Sequence, residues 1–282
     1  RFLTTLMWDG RQTYPCQTLL SDLFSQADDA MRTHAQAKEG LSDRVKQLIA
    51  DRERIIYLAQ SFDNAAGPLD ADGALGGPEH LSRQTSYYGI NAYPGPDPKG
   101  NAFDARAFTL FAAWAGLSGT DARTAARQAI ARGEALFDTR TFTITNVSGF
   151  NDELGAKTIS GTCTSCHNAP NVGNSSVGLM MDIGVSAASR RTPDQPLYTL
   201  TSATTGERVQ VTDPGRALVT GAWKDIARFK VPTLRGLPLR APYFHDGSAA
   251  TVMDVIDFTD ARFSIGLTDS EKSDLAAFLN AL

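Results

Sequence analysis

The chain has 282 residues, 42% hydrophobic and 21% charged, which excludes wholesale disorder and allows one large domain or two ordinary ones. Its net charge of −4, without any run of Lys and Arg, makes nucleic acid a poor partner. The longest apolar stretch, about Leu110 to Leu117, is too short to span a bilayer.

In chain order, Trp8-Asp9-Gly10-Arg11 and a lone Cys16 come first. Asp22 to Gln60 reads as helix, rich in Ala, Gln, Lys, Arg and Leu, with Val45, Leu48, Ile49, Ile56 and Ala59 at roughly helical spacing. Gly40-Leu41-Ser42 predicts a break, with Ser42 capping the second half. Asp63 to Asn101 is dense in Gly and Pro, including Gly76-Gly77-Pro78 and Tyr93-Pro94-Gly95-Pro96. It predicts one long irregular connection, a length usually tied to function or linking. Ala102 to Leu117 predicts a short buried helix.

A second unit begins near Thr120. Asp121 to Phe137 is a predicted helix with Ala126, Ile130, Gly133 and Phe137 on one face. Pro196 to Val211 alternates around Thr204-Thr205-Gly206-Glu207 and predicts a hairpin. Thr268-Asp269-Ser270-Glu271 fits a capping box opening the last helix, whose apolar stripe is Leu275, Phe278, Leu279 and Leu282. The fold expected is mainly α: a helical, loop-rich partial domain over 1–119, then a unit over 120–282. With Gly133 and Phe137 on its first helix, then Cys163-Thr164-Ser165-Cys166-His167, then a terminal apolar helix, the second unit resembles the cytochrome c domain, in which two helices cross closely; Gly133 would permit that approach.

Between those helices stands Cys163-Thr164-Ser165-Cys166-His167. Two thiols one short turn apart can bond both vinyl groups of a haem, and the next residue then lies beneath the iron. Cys163 and Cys166 are the predicted thioether residues and His167 the predicted axial, metal-binding ligand. A structural zinc site needs four ligands, and no second Cys or His pair accompanies this one. A thioredoxin-like dithiol needs a βαβ context that the pattern lacks. Covalent haem c is therefore the expected cofactor. Such attachment takes place outside the cytoplasmic membrane, so the location expected is periplasmic or otherwise extracytoplasmic. The chain opens on Arg1 without a signal-peptide pattern, and is expected to be the mature or proteolysed remainder of a longer precursor. Cys16 is either a buried free thiol or the partner of a cysteine outside this chain.

Three segments share one pattern: Trp8 to Arg11, Cys163 to His167, and Phe229-Lys230-Val231-Pro232-Thr233-Leu234-Arg235 leading into Ala241-Pro242-Tyr243-Phe244-His245-Asp246-Gly247-Ser248. Together they resemble the bacterial di-haem cytochrome c peroxidase superfamily, which includes the MauG-type enzymes. The resemblance spans most of the chain and is loose over residues 30–120. It implies two cytochrome c domains, each with a haem, the C-terminal haem passing electrons to an N-terminal haem where peroxide is activated. Trp8 would lie between them as the relay. Gln26 would be the glutamine of the peroxide site, while the glutamate that follows it in the family falls on Gln36, which cannot act as a general acid–base; His34 reads as an exposed helix histidine. His245 would lie near the haem edge, with Arg235 and Lys230 pairing with haem propionates. A calcium between the domains would use carbonyls near Arg240 and Pro242.

This chain has a single Cys-x-x-Cys-His, so a second haem is expected on an upstream or separate chain, together with a redox partner protein. The position that supplies the sixth iron ligand in the family falls on Thr259, a poor ligand beside a thioether, imidazole or phenolate. That leaves an open or water-bound position, Met253, or a residue from elsewhere such as Met180, Met181 or Tyr243. Two functions stay open: part of a di-haem peroxidase-like or MauG-like enzyme, or a mono-haem electron carrier.

Overall fold

The computed structural model describes residues 5–14, 16–56 and 59–282. The helices are α1 (Leu19–Thr33), α2 (Asp43–Ile55), α3 (Pro78–Arg83), α4 (Ala122–Thr139), α5 (Ala217–Thr220), α6 (Val252–Phe263) and α7 (Asp269–Asn280). Strands occur only as two-stranded antiparallel pairs among the described residues, so the chain is mainly α. None of the described helices is long and apolar enough to cross a membrane.

The expected helix from Asp22 to Gln60 is two helices. The first begins earlier, because the Thr18 hydroxyl accepts from Ser21 N at 3.2 Å and starts the helix there. Ser42 occupies the cap position of α2 but makes no side-chain cap bond. That helix stops at Ile55, where Ile56 turns extended, short of Gln60.

The helix expected over Ala102 to Leu117 is absent; only Ala112–Gly116 forms a 3₁₀ turn. Ala107, Phe108, Leu110, Phe111 and Trp114 are nonetheless buried. Three of their backbone donors are satisfied from outside: Asp138 accepts from Phe108 N, and Glu134 from Leu110 N and Phe111 N. Apolar content signalled burial there, and side-chain acceptors from α4 removed the need for a helix.

The hairpin forms as expected, with Tyr198 opposite Val211 and Thr201 opposite Arg208. Helix α4 is capped by Asp121, which accepts from Arg123 N and Thr124 N, and α7 by the Thr268–Glu271 capping box. These two helices cross closely at Gly133, where a Cβ would lie 2.0 Å from Asp274 O and 2.7 Å from Phe278 Cβ; glycine alone fits. The expected stripe of α7 is buried, and Phe108, Phe137 and Phe278 pack with ring centroids 5.2–5.7 Å apart.

One core joins Leu69, Phe108, Phe111 and Trp114 to α4, α6, α7 and Leu234. Residues before and after position 119 thus both contribute to this core. A second cluster gathers Ile144, Val147, Phe150, Ile159, Met181 and Val231. The α1–α2 pair lies outside both clusters.

Candidate functional site

The two clusters flank a cavity of about 270 Å³ with a largely apolar wall. Cys163, Cys166 and His167 line it, as do Trp8, His245 and Thr259. Cys163–Ser165 forms a 3₁₀ turn held by a capping box, with Thr162 N donating to Ser165 Oγ at 3.0 Å. The turn is fastened onward by His167 N donating to Cys163 O at 3.1 Å. Both thiols and the imidazole thus face one space.

His167 Nδ1 hydrogen-bonds Gly173 O. As the donor to a carbonyl, Nδ1 keeps the proton and Nε2 is left as the lone-pair nitrogen. Burial lowers the His167 pKa, which favours the neutral, ligating form. Burial pushes both thiols up to about 12. Such thiols are poor free nucleophiles, unlike those of a redox dithiol. Among the described residues no group of three His, Cys, Asp or Glu side chains could hold a metal ion by itself, so the turn has no companion ligands for a tetrahedral site.

Trp8 is docked on the residues around the motif. Its carbonyl accepts from Lys230 N at 2.7 Å, and Arg216 Nη1 donates to Asp9 O at 3.1 Å. The Trp8 ring meets His245 edge-on at 6.4 Å. His245 stacks on Phe229 at 3.8 Å, and its Nε2 lies 3.2 Å from Ser186 Oγ and 3.5 Å from Asp213 Oδ2. Burial lowers its pKa, while the charges of Asp246, Asp213 and Asp9 oppose that shift.

Lys230 lines the cavity, its Nζ donating to Thr5 O at 3.1 Å. Arg235 does not line it. It is 3% exposed, its Nε and Nη1 have no partner among the described residues, and burial pushes its pKa down to about 10. A buried guanidinium in that state calls for an anion that the described residues do not supply. Arg240, a cavity-lining cation that the sequence reading assigned only to calcium through its carbonyl, donates through Nη2 to Thr233 O at 2.7 Å.

Several expected residues stand elsewhere. Gln26 lies on α1, away from the cavity lining. His34 is exposed at the end of α1, and Gln36 follows in a left-handed conformation at φ 52°. Cys16 is an exposed free thiol, not a buried one. Met253 and Met180 are not in the lining; Met181 is, but it belongs to the second cluster. Thr259 and Tyr243 line the cavity with their hydroxyls committed to backbone carbonyls, Val255 O at 2.8 Å and Leu237 O at 2.9 Å. Sequence reasoning missed Asp213 and Ser186, which no local pattern ties to His245. It also missed Glu134 and Asp138, whose signal was available: both fall on the apolar face defined by Ile130 and Phe137.

No family model matches the chain. Cytochrome c551 peroxidase of Nitrosomonas europaea is 38% identical over 122 residues, covering 43% of this chain and 30% of that protein. Cytochrome-c peroxidase IdrP1 of Denitromonas iodatirespirans is 31% identical over 136 residues, covering 43% of this chain and 36% of that protein. The chain thus spans about a third of the length of these curated relatives. Among solved structures, a MauG-like protein associated with microbial copper homeostasis is 25% identical with a TM-score of 0.32, covering 55% of this chain and 46% of that one. Over the matched segments the chain is similar to cytochrome c peroxidases, in keeping with the motif run from Trp8 through the Cys163–His167 turn to the Tyr243–Gly247 stretch.

Proposed function

We propose that this chain is the haem c-bearing, electron-feeding part of a di-haem peroxidase-like or MauG-like oxidoreductase. Its haem is held by thioethers at Cys163 and Cys166 with His167 as axial ligand, and electrons pass by way of Trp8 to or from a second haem on an upstream or separate chain. The observation that carries this reading is the shared cavity: both thiols, an imidazole whose Nδ1 is already committed to Gly173 O, and Trp8 all line one apolar space.

The residues present fit the group. A flat apolar macrocycle matches the wall, two neutral thiols stand ready for thioethers, and the cavity-lining Lys230 and Arg240 provide cations for its carboxylates, with Arg235 buried behind the lining. When bound, the haem supplies one-electron chemistry at iron. The polypeptide orients the imidazole through Gly173 O, excludes water with the walls of the two core clusters, and holds Trp8 in register through Lys230 N and Arg216. In the same reading Gln26, on α1, serves the second haem, His245 stands at the edge of this one, a calcium is held through carbonyls near Arg240 and Pro242, and a redox partner protein exchanges electrons in the periplasm. The domains then divide near residue 119, with 120–282 the cytochrome c-like unit.

A second reading, a mono-haem electron carrier, is favoured by the single Cys-x-x-Cys-His in 282 residues and by Gln36 in place of a glutamate. Intact-mass and haem-stoichiometry measurements on everything that copurifies with the chain separate the two. Two haems per complex are expected; one haem with no companion chain would contradict the di-haem reading. In the complex, Trp8→Phe should slow electron transfer between the haems by more than about tenfold, equivalent to about 1.4 kcal/mol of barrier.

A further inference from the structure

Glu134 and Asp138 sit one turn apart on the inner face of α4, each 3% exposed. Glu134 accepts from Leu110 N at 3.1 Å and Phe111 N at 2.7 Å, and Asp138 from Phe108 N at 3.3 Å. Two cations of the same helix are engaged elsewhere, Arg127 with Asp72 and Arg132 with Asp274 of α7, and the third, Arg123, is exposed in the first turn. Just past the helix, Arg140 pairs with Glu271 of α7. The charges that act on Asp138 are Glu134 and Asp104, which raise its pKa, and Arg106, which lowers it. Arg106 and Asp104 are themselves exposed and paired.

Two carboxyls in an apolar core without an ion-pair partner of their own hold protons more tightly than carboxyls in water. Burial pushes Glu134 up to about 7; burial and the neighbouring Glu134 push Asp138 up to about 8. The pair adjoins the Cys-x-x-Cys-His turn. Phe137, on the same helix, has its ring 6.0 Å from the His167 imidazole. Cys163 packs on the same core, and the Asp138 charge raises its thiol pKa. A change of one charge at a group bonded to Cys163 and His167 is thus felt at Asp138 through a low-dielectric medium.

We propose that Glu134 and Asp138 form a proton-uptake site coupled to reduction of the haem held at this turn, an inference that rests on the haem reading above. A haem held at this turn would accept one electron from a one-electron donor and so lose one unit of positive charge. The Asp138 carboxylate then takes one proton from water, forming an O–H bond, and returns it on reoxidation. The polypeptide interior keeps its net charge constant through the redox cycle.

The experiment is a reduction-potential titration of the haem-loaded protein against pH, with redox-difference infrared spectra on the same samples. The potential should fall as pH rises through the titration of the pair. Reduction should bring up a protonated-carboxyl C=O band that shifts on aspartate isotope labelling. Asp138→Asn retains an oxygen acceptor for Phe108 N and should abolish the band and most of the pH dependence. Glu134→Gln should move the pH midpoint down, because it removes the negative neighbour. If Asp138→Asn does not fold, the isotope shift in the unaltered protein decides. An unchanged pH dependence in Asp138→Asn, or no aspartate band on reduction, would overturn the coupling while leaving the haem reading intact. A denaturing mass without haem on the same sample would sink both.

Discussion

The α4–α7 crossing and the α1–α2 pair use helices of comparable length, 18 and 12 residues against 15 and 13, yet they bury very different surfaces. The first pair buries Ile130, Gly133, Phe137, Leu275, Phe278 and Leu279. The second buries only Asp22, Ala27 and Ala50, and leaves Leu48 and Ile55 61% and 63% exposed. Helical spacing alone therefore does not distinguish a scaffold from an appendage. What distinguishes them is complementarity: Gly133 admits α7 to contact, and Phe108, Phe137 and Phe278 interlock behind the Cys163–His167 turn. The site stands on the complementary pair.

Substitution at the crossing gives the largest effect. Gly133→Ala places a methyl against Asp274 O, with no flexible side-chain end to yield. Denaturant unfolding of the haem-loaded protein should show a loss of about 3 kcal/mol. A loss similar to that of a surface change would break the comparison.

The next effect is a pH dependence of stability. The Asp138 pKa rises from 3.8 unfolded to about 8 folded. Its contribution to stability is then fully present below the unfolded value and is lost as pH rises through the folded one. Asp138→Asn should therefore remove part of the decline in melting temperature between acid and mildly alkaline pH, with the variant gaining most, relative to the parent, at the alkaline end. An equal offset at all pH values would show that the carboxyl does not titrate in the folded state.

The distal side of the cavity sharpens the comparison from within the first region. With the Thr259 hydroxyl donating to Val255 O and Met253 outside the lining, the haem-loaded protein should show high-spin ferric bands and bind cyanide and carbon monoxide. Thr259→Met should give low-spin spectra and weaken that binding by at least about tenfold, or about 1.4 kcal/mol. A methionine–iron charge-transfer band in the unaltered protein would contradict this expectation. The smallest effect belongs to the second region: Leu48→Ala should change the stability of this chain by less than about 0.5 kcal/mol.

Much of the first region was legible because its signals are local. Asp121 and Thr268 announce helix starts, the apolar stripe of α7 repeats at helical spacing, and Gly133 marks a close approach. The Cys-x-x-Cys-His turn carries its chemistry within five residues. Residues 102–117 were misread because their hydrogen bonds are non-local: acceptors from α4 hold the donors of Phe108, Leu110 and Phe111, and no periodicity within the segment reports that. The partners of His245 were illegible for the same reason, since Ser186 and Asp213 reach it from distant parts of the chain. The unpartnered state of Arg235 is a property of packing and has no sequence signature.

The central claim is that one haem is covalently held at Cys163 and Cys166, and intact mass spectrometry under denaturing conditions tests it most directly. The account predicts the mass of the polypeptide plus one haem, resistant to acid–acetone extraction, and the bare polypeptide mass for Cys163→Ala combined with Cys166→Ala. A bare polypeptide mass from the unaltered, exported protein, with all haem recovered in the extract, would contradict it.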